Sequence, residues 1–117
     1  MTVITNYRLI PSVTFPGGSE DVLRALTWIT THLNDVGDVE RIFIMGHSAG
    51  GVHVAGYLLK PSLYDVSIHV KGVILFSVPY EIPVINKTTA DFRNAAEVYY
   101  AGAKKISVHQ PLQPFAD

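Results

Sequence analysis

The chain contains no cysteine. Disulfides, thiolate nucleophiles and cysteine-based zinc sites are therefore excluded, and redox compartment leaves no mark on the sequence. Charge is scarce as well. Only 16% of residues are charged, nine basic against ten acidic, for a formal net charge of −1. No lysine- or arginine-rich run exists, so no nucleic-acid partner is expected. No stretch of about 18 apolar residues occurs, so no membrane span is expected. Residues Met1 to Arg8 lack the basic start and apolar stretch of a signal peptide, and a cytoplasmic protein is expected. There is no repeat, no low-complexity tract and no linker between two domains. Apolar residues are plentiful: 48% of 117 residues are hydrophobic, which argues against disorder and suffices for one domain with a core.

Periodicity divides the chain into alternating elements. Val3-Ile4 and Tyr7-Arg8-Leu9-Ile10 read as a short strand, followed by a loop at Pro11, Pro16, Gly17 and Gly18. Ser19 fits an N-cap, and Glu20 and Asp21 place negative charge where the helix dipole favours it. Apolar residues at Val22, Leu26, Ile29 and Leu33 then mark one helical face, widened by Leu23 and Trp28, with Gly37 at the C′ position. The run Arg41 to Gly46 does not alternate and predicts a strand covered on both faces. A helix is expected from about Ala49 to Lys60, stopped by Pro61. Val70 to Val78 repeats the doubly buried strand pattern. A last helix is expected from about Ala90 to Ala101, with Phe92, Ala95, Ala96 and Tyr99 on one side, before a loop containing Pro111 and Pro114. This alternation predicts an α/β fold with parallel strands joined by right-handed crossover helices.

Gly46-His47-Ser48-Ala49-Gly50 matches G-x-S-x-G, the pattern of a nucleophile elbow between a strand and a helix. Side chains at the two flanking glycines are expected to collide with neighbouring elements. The Ser48 hydroxyl then stands at the carboxyl end of the strand, and the Ala49 N–H at the helix start can hold an oxyanion, worth roughly 3–4 kcal/mol when preorganised. The pattern alone arises by chance in roughly 3–4% of chains this long. Its placement between a buried strand and a helix makes it specific. A phosphate-binding loop is the rival reading. Gly46 and Gly51 have its spacing, but Val52 and His53 stand where Lys and Ser or Thr are required. Ser48 likewise replaces the second glycine of a dinucleotide fingerprint.

Together with Tyr7-Arg8-Leu9, Pro11, Phe15-Pro16, Asp21 and Trp28, the block Gly46-His47-Ser48-Ala49-Gly50-Gly51 resembles the α/β-hydrolases of the hormone-sensitive-lipase and carboxylesterase group. The formamidase-like hydrolases are similar too. The resemblance covers residues 3–80, and Tyr99-Tyr100 through Leu112 more loosely. His47 stands where the lipase branch often has Asp. The resemblance implies a partial α/β-hydrolase domain over 1–117, with a core at about 3–80 and the start of a cap or connecting region at about 81–117. It also implies hydrolysis of a small-molecule carboxylic ester, or an amide, without metal or organic cofactor. Ser48 matches the nucleophile, Ala49 the oxyanion donor, and Gly46, His47, Gly50 and Gly51 the elbow.

The family's triad runs Ser, acid, His in chain order. Sixty-nine residues follow Ser48 and supply one clear strand. Asp65 precedes that strand, Asp91 opens a helix and Asp117 is the last residue, so none stands in the expected acid position. His53 lies just over one helical turn after Ser48, where a side chain points away from the attack side. His69 begins a strand, His109 lies in the Pro-rich tail, and His47 is expected to pack or hydrogen-bond beside the elbow. The family's His-Gly-Gly loop does not precede Tyr7. Its strand would fill a gap of about 9.6 Å between the Tyr7 and Ile42 strands. The expectation is an internal fragment of a larger enzyme, lacking the acid and the histidine. The alternatives are an inactive remnant that pairs with another chain through exposed sheet edges, and an acyl-binding module. Elsewhere, Arg8 and Asp21 are expected to pair, Trp28 to sit in the core, Tyr99 and Tyr100 to serve helix packing, and Lys104-Lys105 to be solvated.

Overall fold

The computed structural model describes residues 1–80 and 87–100. Its elements are α1 (Gly17–His32), β1 (Ile42–His47), α2 (Ala49–Leu59), β2 (Val70–Phe76) and α3 (Lys87–Tyr99). Strands β1 and β2 are parallel and adjacent, with Ile44 opposite Val73, Gly46 opposite Leu75 and His47 opposite Phe76. The connection between them contains α2, as parallel pairing requires. Helix α2 ends at Leu59, and Lys60, forced toward extended backbone by Pro61, has φ −97° and ψ 106°.

The core lies on one face of this sheet. Leu26 of α1, Tyr57 of α2 and Ile68 are buried together, with Val22, Leu23, Ile42, Ile44, Leu58, Leu63 and Val70 packed around them. A smaller cluster joins Tyr99 and Tyr100 to Phe15, Val52 and Ala96. Helices α1 and α2 meet through small residues. A Cβ at Gly56 would lie 2.3 Å from Ser19 Oγ, and one at Gly18 would lie 2.4 Å from His53 Nδ1.

Several expectations are corrected. Residues 3–10 form no strand. A strand needs a ladder, and the Arg8 N–H donates instead to Asp21 Oδ2 at 2.9 Å. Helix α1 starts at Gly17 rather than after Ser19, and no side chain caps Pro16. Ser19 lies inside the helix, 1% exposed, because its small side chain fills the crossing with α2. The helix stops at His32 with Leu33 as its C-cap, so Gly37 falls in the following turn, donating its N–H to the Leu33 carbonyl. Trp28 is not core. It is 51% exposed and stacks on His32 at 4.9 Å. The strands are not covered on both faces among the described residues. Phe43 and Met45 of β1 are 69% and 66% exposed, and Ile74 and Phe76 of β2 are each 47% exposed. The apolar run reports how hydrophobic both faces are, and not whether something lies against each of them. No helix among the described residues is long and apolar enough to cross a membrane.

Candidate active site

The chain turns from β1 directly into α2 through a single residue. Ser48, between the two elements, has φ 50° and ψ −123°. A non-glycine residue held there stores about 1–3 kcal/mol of strain, so the surroundings must enforce it. They do so from both sides. The Ser48 N–H donates to the Phe76 carbonyl at 2.9 Å, and the Ser48 carbonyl accepts from the Val52 N–H at 3.2 Å. Ser77, which follows β2 as Ser48 follows β1, also has positive φ, at 48°. Both serines stand at the carboxyl end of the sheet, where open α/β sheets place their ligands.

The glycines divide unequally. A Cβ at Gly46 would lie 2.7 Å from Gly51 Cα and 2.9 Å from Gly51 N, so the strand end and the helix start touch backbone to backbone. A Cβ at Gly51 would lie 2.3 Å from Val78 Cγ2. At Gly50 the nearest atom is Tyr7 Cε1, at 3.8 Å, an ordinary contact. The collision expected at both flanks of the motif therefore holds at Gly46 and not at Gly50, because Gly50 turns toward the loop of Tyr7. Ala49 is the first residue of α2, where an N–H has no helical carbonyl to bond. That donor is available to an anion at the helix start.

The histidines lie elsewhere. His53 is 7% exposed, its ring against Gly18 and edge-on to Tyr7 at 4.5 Å between centroids. Its Nδ1 is buried without a partner. Burial pushes the imidazole below its usual pKa, the Asp21 charge opposing this. His69 pairs with Glu40 just before the two strands begin. That end is about 20 Å from the elbow at 3.3 Å per residue. His47 projects from the exposed face of β1. Asp65 is tied to the Ser67 N–H and hydroxyl. Asp91 lies in the second turn of α3, not at its start. His109, Asp117, Lys104 and Lys105 lie outside the described residues. Among the described residues no side chain hydrogen-bonds Ser48, and no three His, Asp or Glu groups come together to hold a metal.

Arg8 and Asp21 do pair, through Nη2 to Oδ1 at 2.8 Å and Nε to Oδ1 at 2.9 Å. Partial burial pushes the Asp21 carboxyl up, but the Arg8 hydrogen bonds and the Arg8 and Arg24 charges outweigh it and hold it below its usual pKa. Beside this pair a cavity of about 150 Å³ runs from Ala49 between α2 and α3. Tyr7, Val52, Ala96, Tyr99 and Tyr100 are among its walls. Tyr99 does more than pack. Its hydroxyl accepts the Gly18 N–H at 3.2 Å and so satisfies a donor in the first turn of α1. Burial pushes that phenol up to about 12, and pushes Tyr100 up as well. Neither the cavity nor this cap has a local signature, since Tyr99 and Gly18 are 81 residues apart.

A family model described as alpha/beta hydrolase fold matches residues 1–110. The chain belongs to this family. As an alpha/beta hydrolase it is similar to two proteins of Arabidopsis thaliana. One is a probable carboxylesterase 3, 29% identical over 80 residues, covering 64% of this chain and 25% of that protein. The other is carboxylesterase 20, 33% identical over 82 residues, with the same coverage of 64% and 25%. A third match, 39% identical over 75 residues, is to an FAD-linked oxidoreductase pytB of Aspergillus terreus, covering 63% of this chain and 9% of that protein. The chain thus spans about a quarter of the length of the carboxylesterases it matches. No solved structure matches it. In this alpha/beta hydrolase fold the strand–Ser48–helix turn lies at the carboxyl end of the parallel strands, where open α/β sheets place their ligands.

Proposed function

We propose that this chain carries the nucleophile of a carboxylic ester hydrolase. The observation that carries the reading is the Ser48 backbone, at φ 50° between β1 and α2, with Gly46 pressed on Gly51 beneath it. In this reading Ser48 Oγ attacks the acyl carbon of an ester, less readily of an amide, while a histidine takes the hydroxyl proton. The tetrahedral oxyanion receives the Ala49 N–H. Collapse of the intermediate expels the alcohol, which regains the proton from the histidine, and water then releases the acid. Among the described residues His32 bonds the Trp28 carbonyl, His47 projects from the exposed face of β1, His53 is buried against Gly18 and His69 pairs with Glu40, so in this reading none of these four is the base. The carboxylesterase relatives support the ester class.

A fluorophosphonate probe tests the reading. Ser48 should be labelled, and labelling should vanish in Ser48→Ala. A folded sample with no labelling counts against it. A second reading, a chain that acts by associating with another polypeptide, is favoured by one observation. The apolar face of Phe43, Met45, Ile74 and Phe76 is open among the described residues. Sedimentation of unlabelled, folded protein as a dimer or larger species would favour that alternative.

A further inference from the structure

The cavity beside the elbow has a definite size and chemistry. Its volume is about 150 Å³. A dry apolar cavity of that volume accommodates one benzene ring. Its aromatic walls, Tyr7, Phe92, Tyr99 and Tyr100, offer faces and edges to a ring. Two of its polar groups are engaged elsewhere. The Tyr99 hydroxyl is bonded to the Gly18 N–H, and the Arg8 guanidinium to Asp21. His53 turns Nδ1 toward Gly18. Among the described residues of its lining the one guanidinium, Arg8, is thus already paired, so a carboxylate or phosphate finds no unpaired cation there. Ala49 forms part of the wall next to Ser48, so a group seated here is joined to the reacting carbonyl by a short link. On α3 and α2 the walls narrow to small side chains, Ala96 and Val52, both packed against the Tyr99–Tyr100 cluster.

We propose that this cavity is a subsite for one compact apolar group of the substrate, a phenyl ring or a short branched alkyl group, and that Ala96 and Val52 set its size limit. The proposal rests on the hydrolase reading for the word substrate, but the binding it requires does not. The full chain, labelled with ¹³C at Ala and Val methyls, is titrated with benzene. Shifts are expected at Ala95, Ala96 and Val52, and unchanged in Ser48→Ala. Ala96→Phe, which places a ring in the cavity, should weaken binding at least about tenfold. Val52→Leu should weaken it less, and serves as the test if Ala96→Phe loses its methyl dispersion. In Ser48→Ala, contacts from the ring of methyl benzoate to the Ala96 methyl identify the acyl group as the occupant, and contacts from benzyl acetate identify the alcohol group. The proposal is overturned if benzene shifts none of these methyls, if both substitutions leave its affinity unchanged, or if neither ester reaches Ala96. Benzene binding without fluorophosphonate labelling would retain the subsite and remove the hydrolase reading.

Discussion

Alanine at Gly46 and alanine at Gly50 should behave in opposite ways, although the motif treats the two glycines alike. At position 46 the new Cβ would meet Gly51 Cα at 2.7 Å, Gly51 N at 2.9 Å and the Gly50 carbonyl oxygen at 3.1 Å. Carbon atoms rest at about 3.5–4.0 Å, so the overlap approaches 1 Å. All three neighbours are backbone atoms of Gly50 and Gly51 in the first turn of α2, which cannot swing aside as a side chain does. Relief requires the strand end and helix start to separate, which loosens the Ser48 N–H bond to Phe76. Overpacking of this kind costs about 1–3 kcal/mol. At position 50 the Cβ meets only Tyr7 Cε1 at 3.8 Å, and Gly50 lies within α2. Alanine there exceeds glycine in helix propensity, by at most about 1 kcal/mol. Urea denaturation at constant m-value reads the difference directly. Gly46→Ala should lower the midpoint and reduce the rate of fluorophosphonate labelling, whereas Gly50→Ala should leave the midpoint unchanged or raise it. Equal losses in the two variants, or a neutral Gly46→Ala, would refute the backbone-contact argument.

Three further perturbations follow from the packing. Tyr99→Phe removes the acceptor of the buried Gly18 N–H, which should cost about 1–3 kcal/mol and speed hydrogen exchange at the Gly18 amide. Asp21→Asn should cost about 1 kcal/mol, the half-exposed Arg8 partner limiting the gain from the charge pair. Because the folded Asp21 pKa is lowered, its contribution is present above the unfolded value of about 4 and is lost as pH falls through the folded value. The variant should therefore show a flatter midpoint-against-pH curve in acid. His53 also has a lowered folded pKa, so the unfolded chain binds the extra proton. Stability should be full above the unfolded value of about 6.5 and should decline as pH falls from there toward the folded value, a slope that His53→Phe removes in urea titrations.

Much of the architecture was legible before any coordinates. Helix α2 could be placed to within a residue because Gly46 and Pro61 bracket it and both act through local backbone sterics. Strands β1 and β2 were legible from their β-branched runs. Residues 3–10 carry the same composition and form no strand, because pairing depends on a neighbour and not on propensity. Ser19 looks like a cap by type but is consumed by its contact with Gly56. Trp28 looks like core by hydrophobicity but faces outward, since the stripe that α1 buries is centred on Leu26.

The elbow was the most legible part of the site, because a strained turn demands small residues at fixed spacing and leaves a pattern of five consecutive letters. The cavity left no such pattern. Its walls come from residues 7, 52, 96, 99 and 100, which nothing local links. What the sequence determined by itself was the α/β alternation and the strand–Ser48–helix turn, both consequences of short-range sterics and periodic burial, while the family was legible through the resemblance its motifs carry. Only the tertiary structure decided which glycine of the motif has backbone pressed against it, that Tyr99 caps a helix far from it in the chain, and that a ring-sized cavity opens beside Ala49. Each of those depends on which distant atoms are brought together, and that is settled by packing rather than by neighbours in the chain.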